Sequence, residues 1–222
     1  MVTVKVGPQK TAYLVHQGLL CHYSSYFRGA FGGGNFQEAE KGVVELQTED
    51  PKVFDAVYSW LYRGSLLEAS PITGNESYHH QTFQLAADIY IFADARGMPA
   101  LGNAAIDMFH RASVNLWEYP ASVVDDIYDN TPDNALMRTF LVDFFNCSTS
   151  GIENAAEKLE GIDSIEFTKD VIKATAGKKL TSIGASEWAK IDLCQYHDKN
   201  LPVESRVAAA LYAQVVSQTS DT

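Results

Sequence analysis

The chain has 222 residues, 46% apolar and 11% aromatic, enough to build a core and exclude wholesale disorder. Its formal net charge of −11 and pI near 4.9 oppose phosphate backbones and anionic bilayers, so neither nucleic acid nor membrane is an expected partner. Three cysteines, Cys21, Cys147 and Cys194, make no disulfide framework and suit a reducing compartment, the cytoplasm or nucleus. The opening MVTVKVGPQK has no apolar region of a signal peptide, and no run approaches the ~18 apolar residues of a membrane span. The sequons at Asn75 and Asn146 are therefore read as chance.

Residues 2–6 alternate in character, with Val2, Val4 and Val6 on one face of a strand. Gly7-Pro8 breaks it, and Tyr13-Leu14-Val15 forms a second strand, giving a hairpin. Tyr23, Tyr26, Phe27, Ala30 and Phe31 share one helical face, which Gly32-Gly33-Gly34 stops. Val43, Val44 and Leu46 form a short strand expected to join the hairpin. Asp50-Pro51 starts a helix as N-cap and first residue, and Gly64 ends it after Val53, Phe54, Val57, Tyr58 and Leu61. Residues 65–80 are polar and predict a loop. Leu85, Ile89, Phe92 and Ala93 mark the next helix; Arg96-Gly97-Met98-Pro99 breaks it, and another runs to about His110. Pro120 and Pro132 bound a shorter helical piece, and residues 134–145 give a clear helix. From Ser148 onward aromatics thin out and charges interleave. Net charge is −8 over residues 1–150 and −3 over 151–222. The spacing of Val203, Val207, Ala210, Leu211 and Val215 is helical, and the tail is expected to be a weakly packed helical extension.

Motifs that carry chemistry are short. The glycine triplet lacks the Gly-Lys-[Ser/Thr] of a phosphate loop and follows a helix instead of a strand. Cys194-x-x-His197, beside Asp192 and Asp198, lacks the second pair that a structural zinc site uses. His79-His80 falls in the polar loop and reads as solvated, and His22 as exposed. No nucleophile elbow or metalloprotease motif occurs, so no catalytic residue, metal or cofactor is assigned.

Five segments, in order, resemble the BTB/POZ family. They are Val15-His16-Gln17-Gly18-Leu19-Leu20, Ser24-Ser25-Tyr26-Phe27, Phe36-Gln37-Glu38-Ala39, Asp50-Pro51-Lys52-Val53-Phe54 with Trp60-Leu61-Tyr62-Arg63-Gly64, and Leu85-Ala86-Ala87-Asp88-Ile89-Tyr90. Ser25 stands where the family often has proline. The overall tone resembles the small fungal BTB-domain proteins. The resemblance covers residues 1 to about 110.

It implies an α+β fold, a small three-stranded sheet flanked by a helical cluster. The expected organisation is a BTB/POZ domain over 1–112, a helical extension packed on it over 113–150, and a C-terminal helical extension over 151–222. It implies protein partners in place of substrates. His16, Phe27, Tyr62 and Asp88 are expected to specify the fold, His16 by packing under the first helix and Asp88 by satisfying donors. Phe36-x-Glu38 resembles the hydrophobic-x-Glu motif of family members that recruit cullin-3, an apolar anchor beside a charge. A homodimer is expected to use Val2, Val4, Leu19, Leu20 and Tyr23. Many animal members carry an extra N-terminal strand that swaps between protomers; this sequence begins at the later strand. Three functions stay open: a self- or hetero-associating scaffold, a cullin-3 adaptor, and an enzyme built on residues 151–222.

Overall fold

The computed structural model describes residues 1–32, 37–66, 76–177, 180 and 182–201. Strands β1 (Val2–Val6), β2 (Thr11–Val15) and β3 (Val43–Leu46) form one sheet in the order β2-β1-β3. β1 pairs antiparallel with β2, Val4 opposite Tyr13, and parallel with β3, Val4 opposite Val44. The alternation in β1 buries Val2, Val4 and Val6 beneath the sheet and leaves Thr3 and Lys5 half-covered. Helices α1 (Gln17–Tyr23), α2 (Ser25–Gly32) and α3 (Gln37–Lys41) connect β2 to β3.

Helix α4 (Pro51–Arg63) starts and stops where its capping residues dictate. The Asp50 carboxylate accepts from the Lys52 N–H at 2.8 Å, Pro51 opens the first turn, and Gly64 closes the last with φ of 74°. Helix α5 (Glu76–Ala95) begins inside the segment read as a loop. Residues 76–80 carry no apolar period, so their helical state was not visible to a periodicity argument. His80 accordingly sits on a helix, its Nδ1 3.0 Å from the Ser122 hydroxyl.

The turn from α5 to α6 (Pro99–Leu116) locks the two halves of the BTB-like core together. Ser24 Oγ donates to the Arg96 carbonyl at 2.6 Å, and the Ser25 N–H to the Gly97 carbonyl at 3.1 Å. Gly97 has φ of 55°, and a Cβ there would stand 2.0 Å from Ser25 Oγ. Only glycine fits that approach.

Helices α7 (Val124–Asn130), α8 (Leu136–Ser148), α9 (Gly151–Leu159), α10 (Ile165–Thr175) and α11 (Ala185–Trp188) complete the described chain. The described part of the region expected to pack weakly is anchored in the core. Phe167, Trp188 and Tyr196 are buried in the same core as Phe140, Phe144 and Phe145. Trp188 stacks 5.1 Å from Phe144, and its indole N–H donates to Ser113 Oγ at 2.8 Å. The Asp125 carboxylate accepts from the N–H groups of Asp163 and Ser164 at the start of α10. Tyr196 donates to Asp143, His197 meets Asp107 at 2.9 Å, and Asn103 exchanges two bonds with Asp198. A few large aromatics, spaced too widely to make a period, fix this layer. The expected patch from Val203 to Val215 lies outside the described residues.

Arg138 is buried and donates to the carbonyls of Tyr128 and Thr131 and to Thr131 Oγ1, closing the end of α7. Among the described residues, no helix is long and apolar enough to cross a membrane.

Candidate partner-binding surface

β2 is an edge strand, and α4 runs beside it. Tyr58 and Tyr62 lie one turn apart on α4 and both face β2. Their rings are 5.0 Å apart, and Tyr58 is 5.9 Å from Tyr13. Tyr13 in turn meets Phe54 of the core edge-on at 4.7 Å, so the row is anchored at one end. Its hydroxyl donates to Asp55 Oδ1 at 2.7 Å and approaches the Pro51 carbonyl at 3.2 Å. Burial, then the Asp55 bond, pushes the Tyr13 phenol up to about 12.

The other two hydroxyls serve the strand edge. Alternate residues of an edge strand point their backbone groups away from the sheet. Tyr58 donates to the Leu14 carbonyl at 3.4 Å, and Tyr62 Oη accepts from the His16 N–H at 3.2 Å while facing His16 Nδ1 at 3.0 Å. The outer rim of β2 is thus partly closed by side chains of α4. What stays open is side-chain surface: Leu14 is 56% exposed and Tyr62 44%. Tyr13, Tyr58, Tyr62 and His16 form a continuous row of rings that ends at the Asp55 carboxylate, while Leu14 points to the opposite face of β2, beside Thr3. Aromatic side chains with a polar tip suit protein recognition, because they bury large area at little rotamer cost.

Residues 2–96 match the family model for the BTB/POZ domain. Residues 2–96 are a BTB/POZ domain. The match ends at Arg96, in the α5–α6 turn that docks on Ser24 and Ser25. BTB/POZ domains are protein–protein interaction modules and not an enzyme family. No curated protein matches the chain.

Within the BTB domain, the residues expected to self-associate divide into two groups. Val2 is 4% exposed and Val4 and Leu20 are 0%; β1 is the central strand, and Leu20 is the core residue of α1. The chain covers these three itself, so they offer nothing to a partner in this conformation. Leu19 and Tyr23 are half-buried on α1, with Tyr23 edge-on to Trp60 at 4.8 Å. His16 is exposed instead of lying under α1, and Tyr62 satisfies it. Tyr62 holds an edge, not the core. His22 is half-buried, its ring 4.7 Å from that of Tyr23. Phe27 is fully buried. Asp88 is half-buried and accepts from Gln84 Nε2 at 3.0 Å; burial first, then the nearby Asp126 and Asp50, raises its carboxyl above the usual range.

Phe36 lies outside the described residues, and Glu38 is half-buried in the first turn of α3. Tyr13 and Tyr58 were not singled out as a site from sequence. The four-residue spacing of Tyr58 and Tyr62 was the available signal, but Tyr58 reads equally well as part of the apolar helix face.

The C-terminal candidate does not assemble. Cys194 is exposed, and its bond to Asp192 pushes the thiol up, away from the nucleophilic thiolate. His197 faces Asp107 on α6. Among the described residues, no three His, Cys, Asp or Glu side chains are grouped as a metal site.

Proposed function

We propose that this chain is a non-enzymatic scaffold whose BTB domain recruits a protein partner through the row Tyr13, Tyr58, Tyr62 and His16 at the β2 edge. The exposure of Tyr62 and His16 at the open end of this ring row, on a braced edge, carries the reading. A second copy of the chain is the first partner to test, with Leu19 and Tyr23 available on α1. The setting proposed is the cytoplasm or nucleus, where three unbridged cysteines are stable.

The test is mass in solution by light scattering at several micromolar concentrations, for the natural chain and for Tyr62→Asp. A dimer that Tyr62→Asp converts to monomer supports self-association through the row. A dimer unmoved by the substitution rejects the row as the interface. The second reading is a cullin-3 adaptor, supported by Glu38 in the first turn of α3 directly after Phe36. A monomer that gains mass only when the cullin-3 N-terminal domain is added, and loses that gain on Phe36→Ala, selects the adaptor.

A further inference from the structure

Lys158 differs in its partners from Lys169, Lys173 and Lys190 of the same layer. Lys169, Lys173 and Lys190 each pair with a carboxylate three residues earlier, at 2.7, 2.9 and 2.9 Å. Position 155 is alanine, so Lys158 has no such partner. Its Nζ is half-buried and donates to the Ser148 carbonyl at 2.6 Å and to Ser148 Oγ at 2.8 Å, and it lies 5.9 Å from the Tyr119 ring centroid. These are its polar and aromatic contacts among the described residues.

This amine borders an open cleft of about 370 Å³ between the end of α6 and α9, walled by Trp117, Tyr119, Ala121 and Asn154, with Glu118 and Glu157 also lining it. Trp117 has φ of 48°, a left-handed conformation that bulky side chains rarely adopt. That conformation is the left-handed cap of α6, with the Trp117 N–H donating to the Ser113 carbonyl at 3.0 Å, and it turns the chain into the cleft wall.

We propose that Lys158 is an acylation site, accepting the acyl group of a small thioester seated in the Trp117–Tyr119 cleft. The Nζ lone pair attacks the thioester carbonyl carbon. The C–N bond forms, the C–S bond breaks, and the thiolate leaves, taking up the proton that Nζ releases. No oxidant or second reactant is needed. Burial supports the step by lowering the ammonium to about 8, so a useful fraction of the amine is neutral near pH 8. Glu118 and Glu157 also line the cleft, and burial is the cause of the shift. The amide product keeps one N–H for Ser148 but removes the positive charge from the C-terminal end of α8.

The test incubates the full chain with S-acetyl-N-acetylcysteamine at pH 8 and follows each lysine by peptide mass spectrometry. Lys158 is expected to acetylate at least about tenfold faster than Lys169, Lys173 and Lys190, with a rate that saturates in thioester. Ser148→Ala removes one acceptor that favours the ammonium and should speed the reaction at pH 7. Lys158 reacting no faster than the three paired lysines overturns the proposal. A fast rate that stays linear in thioester overturns the cleft as the donor site.

Discussion

The BTB domain and the layer formed by α7 to α11 are built differently. The BTB domain rests on dense local patterns: alternation in β1, a capped and periodic α4, and an Ala-rich α5 seam. In the C-terminal layer α8 is periodic too, but the segments after Ser148 rest on Phe167, Val171, Trp188 and Tyr196, inserted from stretches that are otherwise mostly charged and exposed. The first kind of construction announces itself in a sequence window, and the second does not. Both nevertheless share one continuous core, because α6 packs on α5 with one face while His110 and Ser113 hold Trp188.

The most damaging test of that continuity is Trp188→Ala. Removing a buried tryptophan should cost about 3–5 kcal/mol. If the two regions form one cooperative unit, thermal unfolding followed by near-UV and far-UV circular dichroism stays a single transition at lower temperature. An early, separate loss of the C-terminal layer would show that the comparison is one of two independent units.

Arg138→Met probes the layer more gently. It strands the Tyr128 and Thr131 carbonyls, and the expected loss is about 1–3 kcal/mol in a urea midpoint. The Asp133 ion pair contributes little, since Asp133 is fully exposed.

Tyr62→Asp sharpens the other side of the comparison. Tyr62 lies on the surface, so the melting temperature should move little while partner binding or self-association falls.

Alkaline titration gives a smaller signal. The folded Tyr13 phenol sits at about 12, above the ordinary value of 10.0. A raised folded value means its stabilisation is complete below pH 10 and disappears as pH climbs from 10 to 12. Tyr13→Phe should flatten that part of the stability profile, and an unchanged slope would discount the Asp55 bond.

Asp88→Asn is the smallest expected effect. The carboxyl is raised in the fold, so its ionised form weakens the native state at neutral pH. The amide should therefore raise the melting temperature slightly at pH 7, a gain that fades as pH falls through the raised folded value and is gone by about 3.8.

Much of the N-terminal half was legible in the sequence. The hairpin, β3, the Asp50-Pro51 start of α4 and the break at Gly97 all carry local signals, and the BTB resemblance followed from residue order. Interface residues were less legible. Val2, Val4 and Leu20 are apolar in a strand and helix, and sequence alone does not say which face the chain covers itself. The sheet order decides it, because a central strand spends its apolar side chains inward. Tyr62 and His16 were expected to specify the fold, His16 from under α1; instead they meet at an exposed edge, and a partnership across 46 positions is a tertiary fact. Trp188 and Phe167 stood alone among polar neighbours, where no period exists to detect. Lys158 gave no motif; only the missing acid at position 155 set it apart.

The parallel pairing of β1 with β3 has a consequence for synthesis. β1 leaves the ribosome before both of its partners, and its antiparallel partner β2 follows within ten residues. The hydrogen bonds on its other side, such as Gly7 N–H to the Leu46 carbonyl, await a strand some forty residues later. Closing that longer loop costs more chain entropy than closing the hairpin. The nascent chain therefore exports its central strand with one flank bare, and α1, α2 and α3 must all emerge before that flank is sealed.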